Sequence, residues 1–337
     1  MVPVKIDDLF NINRQIWLAR TVIAAVELGL FELIGEKGAT LEEVISHGEL
    51  NGRGAKIILD ALVPIGLLEH DDGRYTLTDL SMKHLIPGKP DYIGYHFLHM
   101  ARLWKSWGDL PESVRTGKPY WLRHPGDTDK NSLVVLAGML FSRNFAVSRT
   151  VAESLGAGKK WKGLRILDVA AGSGAWSLGF LVTDPDSRAV AIDFAHVLEM
   201  ARQKAAEVGV ADRFDTLDGN VREIDFGSAD YDLAILGHIC HSEGAENSPK
   251  LIARSAEALV PGGKLLIADM IPDDDRRGPL YPLLFAVNML VNTTEGGTFT
   301  FAEYRDWCEA AGLKNVRKLA AGGADHSPPI IAEKPRN

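Results

Sequence analysis

The sequence predicts a C-terminal α/β domain built on a mostly parallel sheet, preceded by a mainly helical N-terminal region. From residue 160 onward, short apolar strands alternate with helices, which is the pattern of parallel strands joined by right-handed crossovers. The first 90 residues instead give helices followed by a β-hairpin. A length of 337 residues is enough for about two domains with packed cores.

The N-terminal region, residues 1–90, begins with a predicted helix over about 10–28, where apolar side chains recur at helical spacing. Thr40 predicts the start of another helix, because its hydroxyl can cap the first turn and two glutamates follow. This succession of helices and hairpin is a winged-helix layout. The remaining predicted elements are a helix over 53–65 and a hairpin formed by 67–70 and 74–77.

Residues 91–155 are predicted to be helical and are rich in aromatic side chains. Two interpretations stay open for these aromatics. Most aromatics at helical spacing belong to an ordinary core, but a cluster beside a catalytic domain can also line an apolar substrate pocket. The aromatics of this region include Tyr92, Tyr95, Phe97, Trp104, Trp107, Tyr120, Trp121, Phe141 and Phe145.

The third region, residues 156–337, is predicted to form the α/β domain. Its strands and helices alternate, so seven strands are expected in one mostly parallel sheet. The strands are predicted at 164–169, 189–193, 214–217, 231–236, 264–269, 314–320 and 328–333, and the helices near 175–183, 196–209, 247–260 and 301–312.

Composition and charge exclude several classes of protein. The formal net charge is −8, which argues against a general nucleic-acid binder. Two cysteines, Cys240 and Cys308, are too few for a disulfide scaffold or a cysteine zinc cluster, and they fit a reducing cytoplasm. The first residues lack the features of a signal peptide. The longest apolar run, 283–291, is interrupted by Asn288 and is too short for a membrane span.

The strongest chemical signal is the segment Leu-Arg-Ile-Leu-Asp-Val-Ala-Ala-Gly-Ser-Gly, which ends at Gly174. An apolar strand runs into a tight turn, and the next helix begins with free N–H groups. Gly172 and Gly174 lack the Cβ atoms that would block the turn and the close approach of a ligand. The third glycine of the dinucleotide-binding fingerprint is absent, so the loop suits a small nucleoside better than a pyrophosphate.

Asp193 closes the next strand and supports the same interpretation. A carboxylate at this position can accept hydrogen bonds from both hydroxyls of an adenosine ribose. The alternative is an ordinary surface aspartate at a strand end. The spacing between Asp193 and the glycine loop favours the ribose interpretation.

On these residues the C-terminal half resembles the class I S-adenosylmethionine-dependent methyltransferases, which have a Rossmann-like fold. The loop 168–174, Asp193, the run Gly219-Asn220-Val221 and a Pro-Gly-Gly turn within 257–267 occur in the expected order. With the winged-helix front, the chain resembles the small-molecule O-methyltransferases of plant phenolic and bacterial natural-product metabolism. The resemblance implies a methyltransferase of small molecules and a homodimer formed through the N-terminal domain.

The resemblance also implies a site for S-adenosylmethionine, with S-adenosylhomocysteine as product. Asn220 stands where the family has an aspartate on the adenine amino group, and its carbonyl can accept the same hydrogen bond. Gly237 stands where the family often has a lysine, so one polar contact is expected to be missing. The residues implied are Asp168, Ala170, Gly172 and Gly174 at the methionine end, Asp193 and Phe194 at the ribose, Gly219, Asn220 and Val221 at the adenine, and Gly237 and His238 beside them.

Ile239-Cys240-His241 matches the family segment that carries the general base at the end of the fourth strand. The resemblance therefore implies that His241 removes the proton of the acceptor hydroxyl. A neutral phenol or enol is a poor nucleophile, and a base with a pKa near neutrality removes its proton during attack. His238 is a second candidate for the base. The alternative for either residue is a strand-end histidine with a structural hydrogen bond.

The family's partners of this base are only partly present. The usual Asp-Trp after the histidine is Ser242-Glu243 here, and Asp269 replaces the usual glutamate after the fifth strand. An acid expected at about Phe299 is missing, and Glu295 lies nearby without being aligned. We therefore expect an incomplete set of carboxylates around His241, which leaves carbon methylation open beside oxygen methylation.

The expected function is methyl transfer to a small aromatic or polyketide-like metabolite in the cytoplasm. No metal is expected, because the acids at 273–275 are typical of a solvated loop. A non-methylating enzyme on the same scaffold, such as a cyclase or hydroxylase, is one alternative. A winged-helix DNA-binding regulator is another, but segment 50–60 carries little positive charge. The residues expected on the acceptor side are Phe141, Asn144, Phe145 and Met289.

Overall fold

The computed structural model describes residues 5–89, 91–124, 132–320 and 327–336, with the backbone alone for 132–135. The chain divides into two compact units, Met1–Lys105 and Ser106–Asn337. No helix in the described part of the chain is long and apolar enough to cross a membrane.

The first unit packs helices around a small antiparallel sheet. The predicted cap at Thr40 is confirmed, because its hydroxyl accepts the Glu43 N–H while the Glu43 carboxylate accepts the Thr40 N–H. The predicted hairpin is also confirmed, and its second strand pairs with a further short strand. The elements are α1 (Ile6–Glu27), α2 (Leu30–Ile34), β1 (Ala39–Thr40), α3 (Leu41–Gly48), α4 (Gly52–Leu62), β2 (Leu68–Asp71), β3 (Arg74–Leu77), α5 (Asp79–His84) and α6 (Gly94–Gly108), which continues past residue 105.

The second unit is an α/β domain, as predicted. Most of the parallel strands are joined by a helix that returns the chain to the same edge of the sheet, whereas β6 and β7 are joined by a loop. Its elements are α7 (Leu110–Thr116), α8 (Tyr120–Arg123), α9 (Ser132–Leu155), β4 (Arg165–Val169), α10 (Ala175–Thr183), β5 (Arg188–Asp193), α11 (Ala195–Glu207), β6 (Phe214–Asp218), β7 (Tyr231–Gly237), α12 (Cys240–Ala258), β8 (Leu259–Ala268), α13 (Leu280–Asn292), α14 (Phe301–Ala310), β9 (Lys314–Lys318) and β10 (Ile330–Glu333).

The seven strands of this unit form one sheet in the order β6-β5-β4-β7-β8-β10-β9. All neighbouring pairs are parallel except those of β10, which is antiparallel to β8 and β9. The chain runs outward from β4 to β6 on one side and from β7 to β8 on the other. The direction therefore reverses between β4 and β7, and the carboxyl edge at such a reversal is where open α/β sheets bind ligands.

Buried apolar layers cover both faces of this sheet. Val151 of α9, Leu178 of α10 and Leu198 of α11 belong to the cluster on one face. Ile252 of α12 and Tyr304 of α14 belong to the cluster on the other. The strands between these layers are buried on both sides, which explains why they are almost continuously apolar in the sequence.

The second unit differs from the prediction around the two helices α12 and α13. Helix α12 begins at Cys240 and not near 247, because a kink at Gly244 separates its first turn from the rest and hides it from the sequence pattern. Helix α13 was not predicted at all. Its residues are almost uniformly apolar, so they show no helical periodicity.

Candidate active site

Residues predicted to bind the cofactor lie at the carboxyl edge of the sheet. The ends of the strands are in register: Asp193 of β5 lies opposite Asp218 of β6, and Gly237 of β7 lies opposite Ala268 of β8. The glycine turn after β4, the loop after β6 and the segment after β7 therefore leave the sheet side by side.

The glycine turn is formed as predicted, with left-handed φ values of 57° at Gly172 and 74° at Gly174. Asp168, at the end of β4, is buried, and its Oδ2 accepts hydrogen bonds from the Ser177 backbone N–H (3.0 Å) and hydroxyl (2.6 Å). Burial raises the pKa of Asp168 to about 6, although these hydrogen bonds act in the opposite direction. The carboxyl group thus fixes the first turn of α10 under the loop.

Asp193 lies against the same loop. Its Oδ2 accepts the Gly172 N–H and its Oδ1 accepts the Phe194 N–H, both at 2.8 Å. Burial raises the pKa of this carboxyl group. The adjacent Phe194 is exposed, and its ring stacks with His196 at a centroid distance of 6.0 Å. A carboxylate with free lone pairs and an exposed ring at one strand end fit a ribose and its base.

The loop after β6 is a tight turn centred on Asn220. Its Oδ1 accepts the Arg222 N–H at 3.0 Å, which is an Asx turn. Gly219 begins the turn by donating its N–H to the Asp193 carbonyl at 3.1 Å, and Val221 is buried beneath it. The backbone hydrogen bond ties this loop to the end of β5.

The space beside Gly237 is occupied by Trp176, a residue that was not predicted from the sequence. A Cβ atom at Gly237 would approach the Trp176 ring to 2.4 Å, so only glycine fits. The indole ring of Trp176, 4% exposed, therefore takes the place where the resembling family often has a lysine. The indole Nε1–H is buried with no hydrogen-bond partner among the described residues, and it remains available to a bound molecule.

His241 was predicted to lie at the end of a strand. It lies instead in the first turn of α12. The chain makes a left-handed step at His238 (φ 62°), whose N–H donates to the Ala268 carbonyl, and then begins the helix. The helix breaks again at Gly244. Residues 240–243 therefore form a separate turn, which we call the base turn.

Of the two carboxylates considered as partners of His241, Asp269 contacts it. Asp269, which directly follows β8, places Oδ1 2.6 Å from His241 Nδ1, and its Oδ2 accepts the His241 backbone N–H at 3.0 Å. Burial alone would raise the pKa of Asp269, but the charge and hydrogen bond of His241 outweigh it and hold this pKa at about 2. Asp269 is therefore ionised and accepts the His241 Nδ1–H.

Tyr304 is a second partner that the sequence did not reveal. Its hydroxyl, buried in α14, donates to Asp269 Oδ2 at 2.8 Å. Burial, with the charge of Asp269 as a further cause, raises the pKa of Tyr304 well above its ordinary value, so the group acts as a donor. Glu295, the other carboxylate considered, instead accepts the Asn247 amide at 3.1 Å.

The helix that was not predicted, α13, contacts His241. The Phe285 ring meets His241 edge to face at a centroid distance of 4.9 Å. Two indoles, of Trp107 and Trp121, donate to Asn288 Oδ1 and the Asn292 carbonyl of this helix at 3.1 Å and 2.9 Å. Of the expected acceptor-side residues, Met289 is buried in α13, and Asn144, Phe141 and Phe145 lie on α9, where the two rings stack at 5.3 Å.

His238, His241 and Asp269 also offer ligand atoms within 4.8 Å of one another, a set that could hold a metal ion. Both carboxylate oxygens of Asp269 already accept hydrogen bonds from His241, and Oδ2 also accepts the Tyr304 hydroxyl. Such an arrangement fits a carboxylate that orients an imidazole at least as well as a metal ligand.

Family models match both parts of the chain. The O-methyltransferase domain matches residues 107–314, and the O-methyltransferase dimerisation domain matches residues 12–86. The first match alone covers more than half of the sequence and includes the glycine turn, Asp193, His241 and Asp269.

Known proteins agree with these matches. A 3-hydroxy-5-methyl-1-naphthoate 3-O-methyltransferase from Streptomyces sahachiroi is 33% identical over 94% of this chain and 92% of its own length. The tetracenomycin polyketide synthesis 8-O-methyl transferase from Streptomyces glaucescens is 31% identical over 98% of this chain and 97% of its own length. Human N-acetylserotonin methyltransferase, solved with S-adenosylmethionine, shares the fold with a TM-score of 0.85 at 23% identity, over 99% of both chains. The chain therefore belongs to the O-methyltransferase family and is an S-adenosylmethionine-dependent methyltransferase.

Proposed function

We propose that this enzyme methylates a hydroxyl group of a small aromatic, polyketide-like acceptor and that His241 is the general base. The observation that carries the proposal is the 2.6 Å contact between His241 Nδ1 and Asp269 Oδ1. The naphthoate and tetracenomycin enzymes named above support the acceptor class.

The Asp269 contact determines which nitrogen of His241 is basic. Asp269 is ionised and can only accept, so the neutral imidazole carries its proton on Nδ1 and leaves Nε2 free to take a proton. When Nε2 takes the acceptor's proton, the imidazolium that forms is stabilised by the adjacent carboxylate. S-adenosylmethionine supplies a methyl group already activated on a sulfonium, so the chain needs to provide only a base and alignment.

We further propose that the carboxyl edge of the sheet holds the methyl donor. Asp193 has the acceptor oxygens that two ribose hydroxyls require, and Asn220 lies in the neighbouring loop for the purine. Trp176, with its buried unpaired Nε1–H beside Gly237, is added to this site. The full proposed set is Asp168, Ala170, Gly172, Gly174, Trp176, Asp193, Phe194, Gly219, Asn220, Val221, Gly237 and His238.

The acceptor is proposed to lie on the α13 side of His241. The Phe285 ring at His241 and the buried Met289 give this side an apolar character that suits an aromatic molecule. Helix α9 is proposed as the second wall, with Phe141, Asn144 and Phe145 as its contacts. The base and its carboxylate favour oxygen over carbon as the methylated atom, because a hydroxyl must lose its proton.

The enzyme is proposed to be a homodimer that works in the cytoplasm on small molecules, without nucleic acid or membrane partners. The match to a dimerisation domain and the exposed apolar side chains of α1 support the dimer. The acidic net charge of −8 and the two buried free thiols, Cys240 and Cys308, support the remaining points.

Label transfer tests this function. The enzyme is incubated with S-adenosylmethionine carrying a ¹³C-methyl group and a panel of hydroxynaphthoates and polyketide phenols. Each phenol is matched by a control in which the same hydroxyl is blocked as a methyl ether. We expect label on oxygen in the free phenols and none in the ethers. Label on ring carbon in both sets would contradict hydroxyl methylation, and no label in any phenol would contradict the acceptor class.

A further inference from the structure

The base turn carries a second buried acid that the mechanism does not use. Glu243 lies two residues after His241 and is 9% exposed. Burial of a carboxylate is costly unless a partner compensates for it. The partner is Arg222, whose Nε lies 2.8 Å from Glu243 Oε2. The hydrogen bond from Arg222 to Glu243, together with the charge of Glu243, raises the pKa of Arg222, and the charge of Glu295 adds to this effect.

Arg222 belongs to the loop proposed to read the adenine. Its backbone N–H donates to Asn220 Oδ1, so the two residues share one turn. Its side chain leaves the loop and reaches Glu243 in the base turn. A continuous set of contacts thus leads from Asn220 through Arg222 and Glu243 to the turn that holds His241.

The ion pair between Arg222 and Glu243 is separate from the contacts that join the body of α12 to the same loop. Arg254 of that helix donates to the carbonyls of Val221 (2.5 Å) and Ile224, and its guanidinium lies over the Phe226 ring at 4.1 Å. The kink at Gly244 (φ 78°, ψ 176°) stands between Arg254 and the base turn. The helix body therefore fixes the loop through Arg254, whereas the base turn is joined to the loop through Glu243.

We propose that Arg222 and Glu243 are positioning residues that join adenine recognition to the placement of the base. This inference rests on the proposed function, since the adenine contact of the 219–221 loop is part of that proposal. The pair orients the side-chain carbonyl of Asn220 toward the purine 6-amino group. It also holds the base turn against the 219–221 loop when adenine is bound there. Removing it should weaken adenine recognition and slow methyl transfer together.

Calorimetry with two ligands tests the first effect. S-adenosylhomocysteine is compared with its inosine analogue, in which an oxygen replaces the 6-amino group, on the wild type and on E243Q, R222Q and the double variant. The wild type should prefer the adenine ligand. In each single variant, affinity for S-adenosylhomocysteine should fall about three- to tenfold and the preference should narrow by a similar factor. The double variant should be no worse than either single one.

The matched control is E246Q, which removes an exposed i,i+4 ion pair with Lys250 on the same helix. It should keep the wild-type affinity, preference and kcat, whereas kcat should fall in R222Q and E243Q. If E243Q does not fold, R222Q tests the pair from its half-exposed side. Wild-type preference and kcat in the folded variants, or additive losses in the double variant, would overturn this inference. A wild type without any preference would instead contradict the proposed adenine site.

Discussion

At the scale of single residues, the proposed chemistry depends on three buried groups in contact with one another: Tyr304, Asp269 and His241. The sequence predicted His241 from its neighbours Ile239 and Cys240, and it showed that Asp269 replaces a glutamate. It did not show that Asp269 meets His241, because the two residues are joined only by the register of β7 and β8 and by the short turn after β7. Tyr304 lies 35 residues after Asp269 in the chain, and no local sequence pattern indicates that the two are partners.

Replacing Tyr304 by phenylalanine removes one donor from Asp269 and keeps the ring in its cluster with Phe299 and Trp307. We expect kcat to fall about tenfold, since a hydrogen bond to a charged group is lost from the carboxylate that orients the base. Affinity for S-adenosylhomocysteine should stay unchanged. The control is Tyr75→Phe, which removes a partly buried Tyr–Asp hydrogen bond in the other unit and should leave kcat intact. An unchanged kcat in the Tyr304 variant would show that Asp269 does not need this donor.

The buried Asp168 gives a pH-dependent prediction. Its pKa, raised to about 6 by burial, exceeds the unfolded value of about 3.9, so its stabilising contribution is complete below about pH 4 and is lost as pH rises through 6. The variant D168N keeps an acceptor for Ser177 and does not titrate. The free energy of unfolding of the ligand-free proteins is measured in urea. From pH 4 to pH 7, its value for D168N should rise by about 3 kcal/mol relative to the wild type. A difference that does not change with pH would contradict the burial argument.

At the scale of elements, the strands of the second unit were predictable and the surroundings of the base were not. Alternating apolar strands and helices identify a parallel sheet because they are local patterns, and the carboxyl edge follows from the topology. The start of α12 was missed because Gly244 interrupts it, and α13 was missed because uniform apolarity has no period. The side of the site formed by these two helices was therefore the part that sequence reasoning described least well.

A substitution at Gly244 tests whether the kink in α12 positions the base turn. The φ of 78° with ψ of 176° at this residue is open to glycine almost alone, and an added Cβ would approach the Glu295 carbonyl to 2.5 Å. We expect Gly244→Ala to destabilise the protein by about 1–3 kcal/mol and to lower kcat by displacing the base turn. Gly54→Ala, in the open first turn of α4, should be neutral or stabilising. Wild-type stability and kcat for Gly244→Ala would show that the kink does not position the base.

At the scale of the whole molecule, the exposed face of α1 is the feature that a single chain leaves unexplained. Large apolar side chains at Ile12, Ile16 and Trp17 are exposed, with Trp17 at 70%. Exposed apolar patches of this kind mark interaction sites, and closed two-fold dimers are the commonest oligomers. We expect light scattering at micromolar concentration to give twice the 36.8 kDa of the chain.

Trp17→Lys should shift this mass toward that of one chain, because a charge on the apolar face opposes association. Val114→Lys replaces another exposed apolar residue, outside α1, and should leave the dimer intact. A wild-type mass near 37 kDa, or an unchanged dimer in Trp17→Lys, would contradict the assignment of the interface.

His241 is proposed to be the base that takes the acceptor's proton. The most direct test of this proposal is the rate of labelled-methyl transfer by His241→Ala, measured together with the affinity for S-adenosylhomocysteine. A general base contributes typically 10²–10⁴-fold, so the rate should fall by about that factor, while the affinity barely changes because proton removal matters only in the transition state. A nearly full rate in His241→Ala with a large loss in His238→Ala would assign the base to His238. Full rates in both variants would contradict a histidine base altogether.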